Sequence, residues 1–306
     1  MEEHSTGEYA GLRIMTIHAH PDDEASKGAG SIARYRAGGA GTVLVCATGG
    51  EEGDILNPAM DRDEVRENLA EVRRQELASA AEIIGYEAVE MLGYRDSGME
   101  DSEANQHPES FWQASVDDAV DRFIRLIRQY RPHVLVTYSD DQQGYRHPDH
   151  LRVHDISIPA FELADDPTYK PHLGEAWSIL KMYYSTWSRA RLVALHAKYE
   201  ELELESPYTE EWFKRPDQDH RVSAKVDIGE YFDVRAKALL AHATQVDPAS
   251  PFWFGLPEGA ARDAYPWDDY ILGRSIIPVA EIEDDLFAGV REFLAEKAET
   301  NEVIEL

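Results

Sequence analysis

A chain of 306 residues with 43% hydrophobic residues is long enough for a sizeable core, which excludes a disordered polymer. Its 59 Asp plus Glu outnumber 30 Lys plus Arg, giving a formal charge of −29. Such a field repels phosphate backbones and anionic lipid surfaces, so neither nucleic acid nor a membrane is expected as a partner. The single Cys46 lies in the apolar run GTVLVCAT and reads as a small core residue with no intramolecular disulfide open to it. The N-terminal MEEHSTGEYAG has no apolar h-region, and no stretch approaches bilayer-crossing length, so a cytoplasmic location is expected.

In chain order, LRIMTIH reads as a buried strand and EASKGAGSIARYRAGG as a helix closed by its glycines. TVLVCAT is a second strand, followed by the loop GGEEGDILNPAMD. DEVRENLAEVRRQELASAAEIIG places Val65, Leu69, Val72 and Leu77 near helical spacing, with Gly85 as its stop. VEMLGY is a short strand, ASVDDAVDRFIRLIRQY an amphipathic helix, and HVLVTYS a fourth strand running into DDQQGYRHPDH. Beyond about residue 165 the pattern is less regular: SILKMYYSTW reads as a strand, IGEYFDVRAKALLAHATQ and EIEDDLFAGVREFLAEK as helices. Apolar strands alternating with helices predict an α/β, Rossmann-like, mostly parallel sheet with helices on both faces and a less regular C-terminal part. No linker divides the chain. Residues 1–165 are expected to form a catalytic α/β core, and 166–306 to complete the same domain and its substrate pocket.

In such a sheet, ligands bind beyond the carboxyl ends of the strands. AHPDDE, TGGEEGD, GYRDSG and YSDDQQGYRHPDH each follow a predicted strand, so four polar loops should converge on one edge. The first packs His20, Asp22, Asp23 and Glu24 together; a turn needs no such cluster, whereas a bound cation offsets the repulsion between its carboxylates. HPDH offers His147 and His150, three residues apart at a helix start. Alone this pair is a weak signal, since Asp149 could be an N-cap with both histidines solvated. Joined to a second His–acid cluster, it gives three ligands from histidine and carboxylate with a position left for water, the donor set of catalytic zinc. Iron(II) accepts the same donors; magnesium and calcium prefer oxygen alone. TGGEEG after a strand could suggest nucleotide binding, but GxGxxG, GxxxxGK and a basic phosphate grip are all missing.

AHPDDE followed by HPDH resembles the LmbE/PIG-L family of zinc-dependent N-deacetylases and amidases acting on glucosamine conjugates. The likeness continues through TGGEEGDILNPAMD, RRQEL, RDSGM, RPHVLVTY, KMYY and AHATQVDP, and so spans most of the chain. It implies His20, Asp23 and His150 as zinc ligands and Asp22 as general base. It also gives His147 and Tyr145 the tetrahedral oxyanion or the leaving amine. Lys27, Arg73 and Asp96 fall where the family contacts its substrate, a small-molecule glycoconjugate, and Glu52 in GGEEGD is a further candidate for the pocket lining. Lys27 and the ILNPAMD loop favour the branch that hydrolyses the amide of mycothiol S-conjugates; the alternative is N-deacetylation of an N-acetylglucosaminyl conjugate. Lys27 could instead be a solvated helix lysine, Arg73 a helix-surface ion pair, Asp96 a turn aspartate, Glu52 a helix cap and Tyr145 a surface aromatic.

Overall fold

Strand β1 (Arg13–His18) lies inside a sheet whose order is β3-β2-β1-β4-β5-β7-β6. The other strands are β2 (Gly41–Thr48), β3 (Ala88–Tyr94), β4 (Val134–Thr137), β5 (Lys181–Thr186), β6 (Val222–Asp227) and β7 (Trp267–Ser275). The computed structural model describes residues 7–142 and 144–299; the N-terminal MEEHST and Gln143 of the DDQQG run lie outside the described residues. Among the described residues, no helix is long and apolar enough to cross a membrane.

The continuous apolar runs on β1, β2 and β4 follow from burial on both faces. Met15 and Ile17 point into one layer with Phe123, Ile124 and Val153 from the helices Val116–Tyr130 and Pro148–Leu163. Ile14, Val134 and Val136 point into the other, against Ile32, Ile84 and Leu239. Those three come from the helices Ala29–Ala37, Leu69–Ile84 and Phe232–Ala241. Strands β1 to β5 run parallel, as expected. The sheet order reverses between β1, which leads to β2 on one side, and β4, which returns on the other. A crevice at that reversal is where an open α/β sheet binds its ligands.

The C-terminal part departs from the expected pattern. β7 pairs antiparallel with both β5 and β6, so the sheet is mixed, and it extends without a break into residues beyond 165. Neither β6, β7 nor the helix Arg189–Glu201 was legible in the sequence. The predicted EIEDDLFAGVREFLAEK helix begins only at Val290. Before it, the Asp285 carboxylate accepts the Phe287 amide, the Tyr35 hydroxyl accepts the Leu286 amide, and Gly289 turns to φ +75°. Such local side-chain bonds compete with helical ones.

Two predicted helices are each broken once. DEVRE and LAEVRRQELASAAEII are separate helices (Asp63–Glu67 and Leu69–Ile84) hinged at Asn68. EASKGAGSIARYRA splits into a single turn, Asp23–Ser26, and the helix Ala29–Ala37. Gly28 sits at the second break with φ +93°, and a Cβ there would stand 2.8 Å from the Tyr270 hydroxyl. Glycine meets both demands at once.

Candidate metal centre and substrate cleft

The expected strand-end loops do converge. A cleft of about 720 Å³ is lined by residues following β1 (His20, Asp22, Asp23, Lys27), β2 (Glu52, Asp54), β3 (Asp96, Met99) and β4 (Tyr145, His147, His150). It also takes residues from the C-terminal part, among them Trp187, Trp212, Gln245 and Phe252.

At its floor, His20 Nδ1 is 3.4 Å from Asp23 Oδ2, and His150 Nε2 is 3.3 Å from that same oxygen. Ligand atoms about 2.0–2.2 Å from one ion in a tetrahedral arrangement stand about 3.3–3.5 Å apart, so these donors have the spacing of a metal trio. Their ionisation agrees. Burial would raise Asp23, but Lys27 and His150 hold its carboxyl well below the usual range, so it is an anion. Burial pushes His150 down to about 3, leaving a neutral ring with a lone pair to donate. Burial alone would lower His20 too, yet Asp149, Asp23 and Asp96 raise it well above 6.5, so His20 holds a proton that a metal ion would displace on binding.

A second trio, His20, His147 and Asp149, also brings donor atoms within 4.8 Å of one another. Its carboxylate is already committed. Asp149 is fully buried; Oδ2 accepts the Ser97 amide at 2.9 Å and Oδ1 accepts the Ser97 hydroxyl. The remaining approach is His20 Nε2, 3.3 Å from Asp149 Oδ2. If Nε2–H donates there, Nδ1 carries the lone pair and faces Asp23, the carboxylate–histidine arrangement that orients metal ligands. Asp149 is not the N-cap: the helix Pro148–Leu163 is capped by His147, whose Nδ1 accepts the Asp149 amide at 3.2 Å. Its position between two histidines was the available signal for a supporting role; Ser97, a hydroxyl in RDSG, carried none.

Asp22 lines the same cleft but is not one of the trio. Its backbone sits at φ +115°, a region that favours glycine and that aspartate tolerates better than most. Two contacts hold it there: Glu24 accepts its amide at 3.0 Å, and Arg73 Nη2 meets its Oδ2 at 3.1 Å. Burial in the cleft pushes the Asp22 carboxyl up to about 6 against the pull of Arg73, with Asp23 adding to the rise. Its side chain keeps 31% exposure, so it remains open to water.

The substrate candidates divide. Arg73 lines the cleft but is no surface pair: it is buried, and it donates to the carbonyls of Gly50 at 2.5 Å and Pro21 at 2.6 Å. Gly50, at φ +69°, makes room for it, since a Cβ there would lie 2.4 Å from the guanidinium. Asp96 accepts the Gly98 amide at 2.8 Å and the Glu52 amide at 3.3 Å, tying the β2 and β3 loops together. Glu52 lines the cleft and pairs with Arg95. Lys27 is not a freely solvated lysine: its ammonium bonds Asp23 Oδ1, the oxygen facing away from the trio, and lies 5.5 Å over the Tyr138 ring. Tyr145 stands at the rim, 56% exposed, its ring 5.4 Å from that of His150.

Comparison with known proteins agrees with this geometry. Residues 15–161 match the family model PIG-L: GlcNAc-PI de-N-acetylase. The chain is similar to a mycothiol S-conjugate amidase of Streptomyces coelicolor, 42% identical over 291 residues, covering 92% of this chain and 98% of the relative. It is also similar to a 1D-myo-inositol 2-acetamido-2-deoxy-alpha-D-glucopyranoside deacetylase of Streptomyces scabiei, 36% identical over 299 residues, 92% and 90% covered. Among solved structures, the N,N'-diacetylchitobiose deacetylase of Pyrococcus horikoshii shares the fold, with a TM-score of 0.59 at 17% identity over 85% of this chain and 83% of that one. With relatives this similar along nearly their whole length, and with histidines and carboxylates that could hold a metal ion gathered at the sheet's switch point, the chain belongs to the PIG-L family of amide-hydrolysing enzymes.

Proposed function

We propose that this enzyme hydrolyses the amide joining the cysteinyl and glucosaminyl moieties of mycothiol S-conjugates, with zinc held by His20, Asp23 and His150. The observation that supports it most is the convergence of those three donors on one point, with a second acid, Asp22, beside them and outside the trio. The 42% identical relative that carries this activity in its name supports the substrate. Residues 166–306 belong to the same catalytic domain in this reading, since β5, β7 and β6 continue the sheet and Trp187, Trp212 and Phe252 close the cleft. A cytoplasmic setting is part of it, supported by a lone buried cysteine and no disulfide.

When bound, zinc supplies Lewis acidity, polarising the carbonyl and lowering the pKa of water. The protein does the rest. Asp22 takes the proton of the attacking water as the new C–O bond forms, and its position near neutrality lets it hand that proton to the amide nitrogen as the C–N bond breaks. His147 accepts the Asp149 amide at Nδ1, so in the neutral ring Nε2 carries the hydrogen and can donate to the oxyanion. Burial and the neighbouring His20 lower the His147 pKa, which keeps that neutral form at pH 7. The Tyr145 hydroxyl, at the rim, donates to the same oxygen. Arg73 orients Asp22, while Asp96 and Glu52 offer acceptors to sugar and inositol hydroxyls.

The second reading, N-deacetylation of an N-acetylglucosaminyl conjugate, uses the same residues and draws on the 36% identical relative. Assaying the zinc-loaded enzyme with a mycothiol S-conjugate and with the N-acetylated inositol glucosaminide separates the two. The larger kcat/KM is expected for the conjugate; the reverse order would replace the amidase by the deacetylase.

A further inference from the structure

The cleft is chemically divided by the order of the sheet. On one side of β1, the loops after β2 and β3 bring the carboxylates of Glu52, Asp54 and Asp96. On the other side, the segment after β5 brings Trp187, and the C-terminal part adds Trp212 and Phe252. Strands about 4.8 Å apart put the β3 and β5 ends roughly 19 Å from each other, with the metal trio between them.

The aromatic side is a built surface. Trp187 and Phe252 stack with centroids 5.7 Å apart and planes 9° apart; Phe252 and Trp212 stack at 5.3 Å and 26°. Arg191 lies 4.3 Å from the Trp187 ring and Arg215 3.7 Å from the Trp212 ring. The three rings are only half-buried, and all of them line the cleft. Because neighbours already hold them, a ligand that packs there orders little on binding. Rings packed this way favour a flat apolar group and offer a polyol few acceptors.

Resting on the amidase reading, we propose that the stack Trp187–Phe252–Trp212 binds an aromatic S-substituent of the cysteinyl moiety, and so selects conjugates of aromatic electrophiles. A polyol on the amine side of the scissile amide suits the acidic half. The acyl side must then extend across the metal trio into the aromatic half.

The experiment measures kcat/KM of the zinc-loaded enzyme for S-benzyl and S-methyl conjugates that are otherwise identical. The wild type is expected to favour the benzyl compound by roughly tenfold or more, and Trp212→Ala to reduce that ratio by roughly tenfold, the scale of one aromatic contact with its buried area. Trp212→Phe, which keeps a ring, should keep most of the ratio. A wild-type ratio near one, or a ratio equal in wild type and Trp212→Ala, overturns the proposal. Should neither conjugate be hydrolysed, titration with N-acetyl-S-benzylcysteine and N-acetyl-S-methylcysteine, followed by tryptophan fluorescence, decides separately. Preference for the benzyl fragment, weakened in Trp212→Ala, upholds the aromatic site while the amidase reading falls; equal affinity rejects the site itself.

Discussion

Glu24 and His242 are joined by a hydrogen bond in which neither side chain has any exposed surface, although they lie 218 residues apart in sequence. The pair ties the acidic turn after β1 to the end of the helix Phe232–Ala241, and the other Glu24 oxygen accepts the amide of Asp22. Burial opposes both charges. Even so, His242 holds the Glu24 carboxyl below its usual value, and Glu24 raises His242 in turn. Removing one partner of a buried pair strands the other, at about 3–5 kcal/mol. His242→Ala should therefore shift the urea midpoint down strongly and lower kcat more than it changes KM, because Asp22 loses its fixed conformation. Glu24→Gln, which keeps an acceptor for the Asp22 amide, should retain more turnover than Glu24→Ala. An unchanged midpoint in His242→Ala would refute this role.

His150→Ala removes one of three converging donors, and zinc content by elemental analysis should fall to well under one equivalent. Full occupancy in that variant would point to the alternative trio of His20, His147 and Asp149.

Asp22→Asn tests the base without disturbing the trio, and asparagine also tolerates the left-handed backbone. Zinc content should stay near that of the wild type while turnover falls by about 10²–10⁴-fold, the usual worth of a general base. Loss of zinc together with activity would mean that Asp22, not Asp23, is the ligand.

Lys27 bonds the outer oxygen of Asp23 and also lines the cleft, to which the amidase reading would bring the acyl side of its substrate. A charge-assisted hydrogen bond to a cysteinyl carbonyl is worth about 1.5–3 kcal/mol, or roughly one to two powers of ten. Under matched zinc loading, Lys27→Ala should lower the ratio of S-conjugate cleavage to deacetylation by that factor. A ratio unchanged from wild type would confine Lys27 to its contact with Asp23.

His133, at the other end of the sheet, accepts the Arg13 amide at Nδ1, 3.0 Å away. Burial, with the Arg13 charge, pushes it down to about 3 from an ordinary 6.5. A folded value below the unfolded one means the neutral ring stabilises the fold above pH 6.5, and that this contribution is lost as pH falls towards 3. Between pH 7 and 5 the loss is about 2 kcal/mol. The stability difference between wild type and His133→Gln, from urea unfolding, should shrink by that amount over this interval. A difference constant with pH would count against a neutral buried His133.

The parallel half of the fold and the candidate metal donors were both legible in the chain alone. The largely apolar runs RIMTIH, GTVLVCAT and VLVT read as strands covered on both faces, and each buries every position except, in the first two, the leading residue. The two His–acid clusters were legible because each lies in a loop that follows such a strand, and the family resemblance then singled out His20, Asp23 and His150 among their residues. What only tertiary structure decided depends on contacts distant in sequence. β6 and β7 are polar in places and became strands because an antiparallel neighbour pairs with them. Gly28 breaks a helix that local pattern would continue, because Tyr270 occupies the space of a side chain. Arg73 could be a substrate contact or a surface ion pair on its helix, and neither local reading contains what the fold shows: the carbonyls of Pro21 and Gly50 satisfy it in the interior. The division of the cleft into acidic and aromatic halves was hidden for the same reason: it arises from the spatial order of the strands, which no local stretch of sequence encodes.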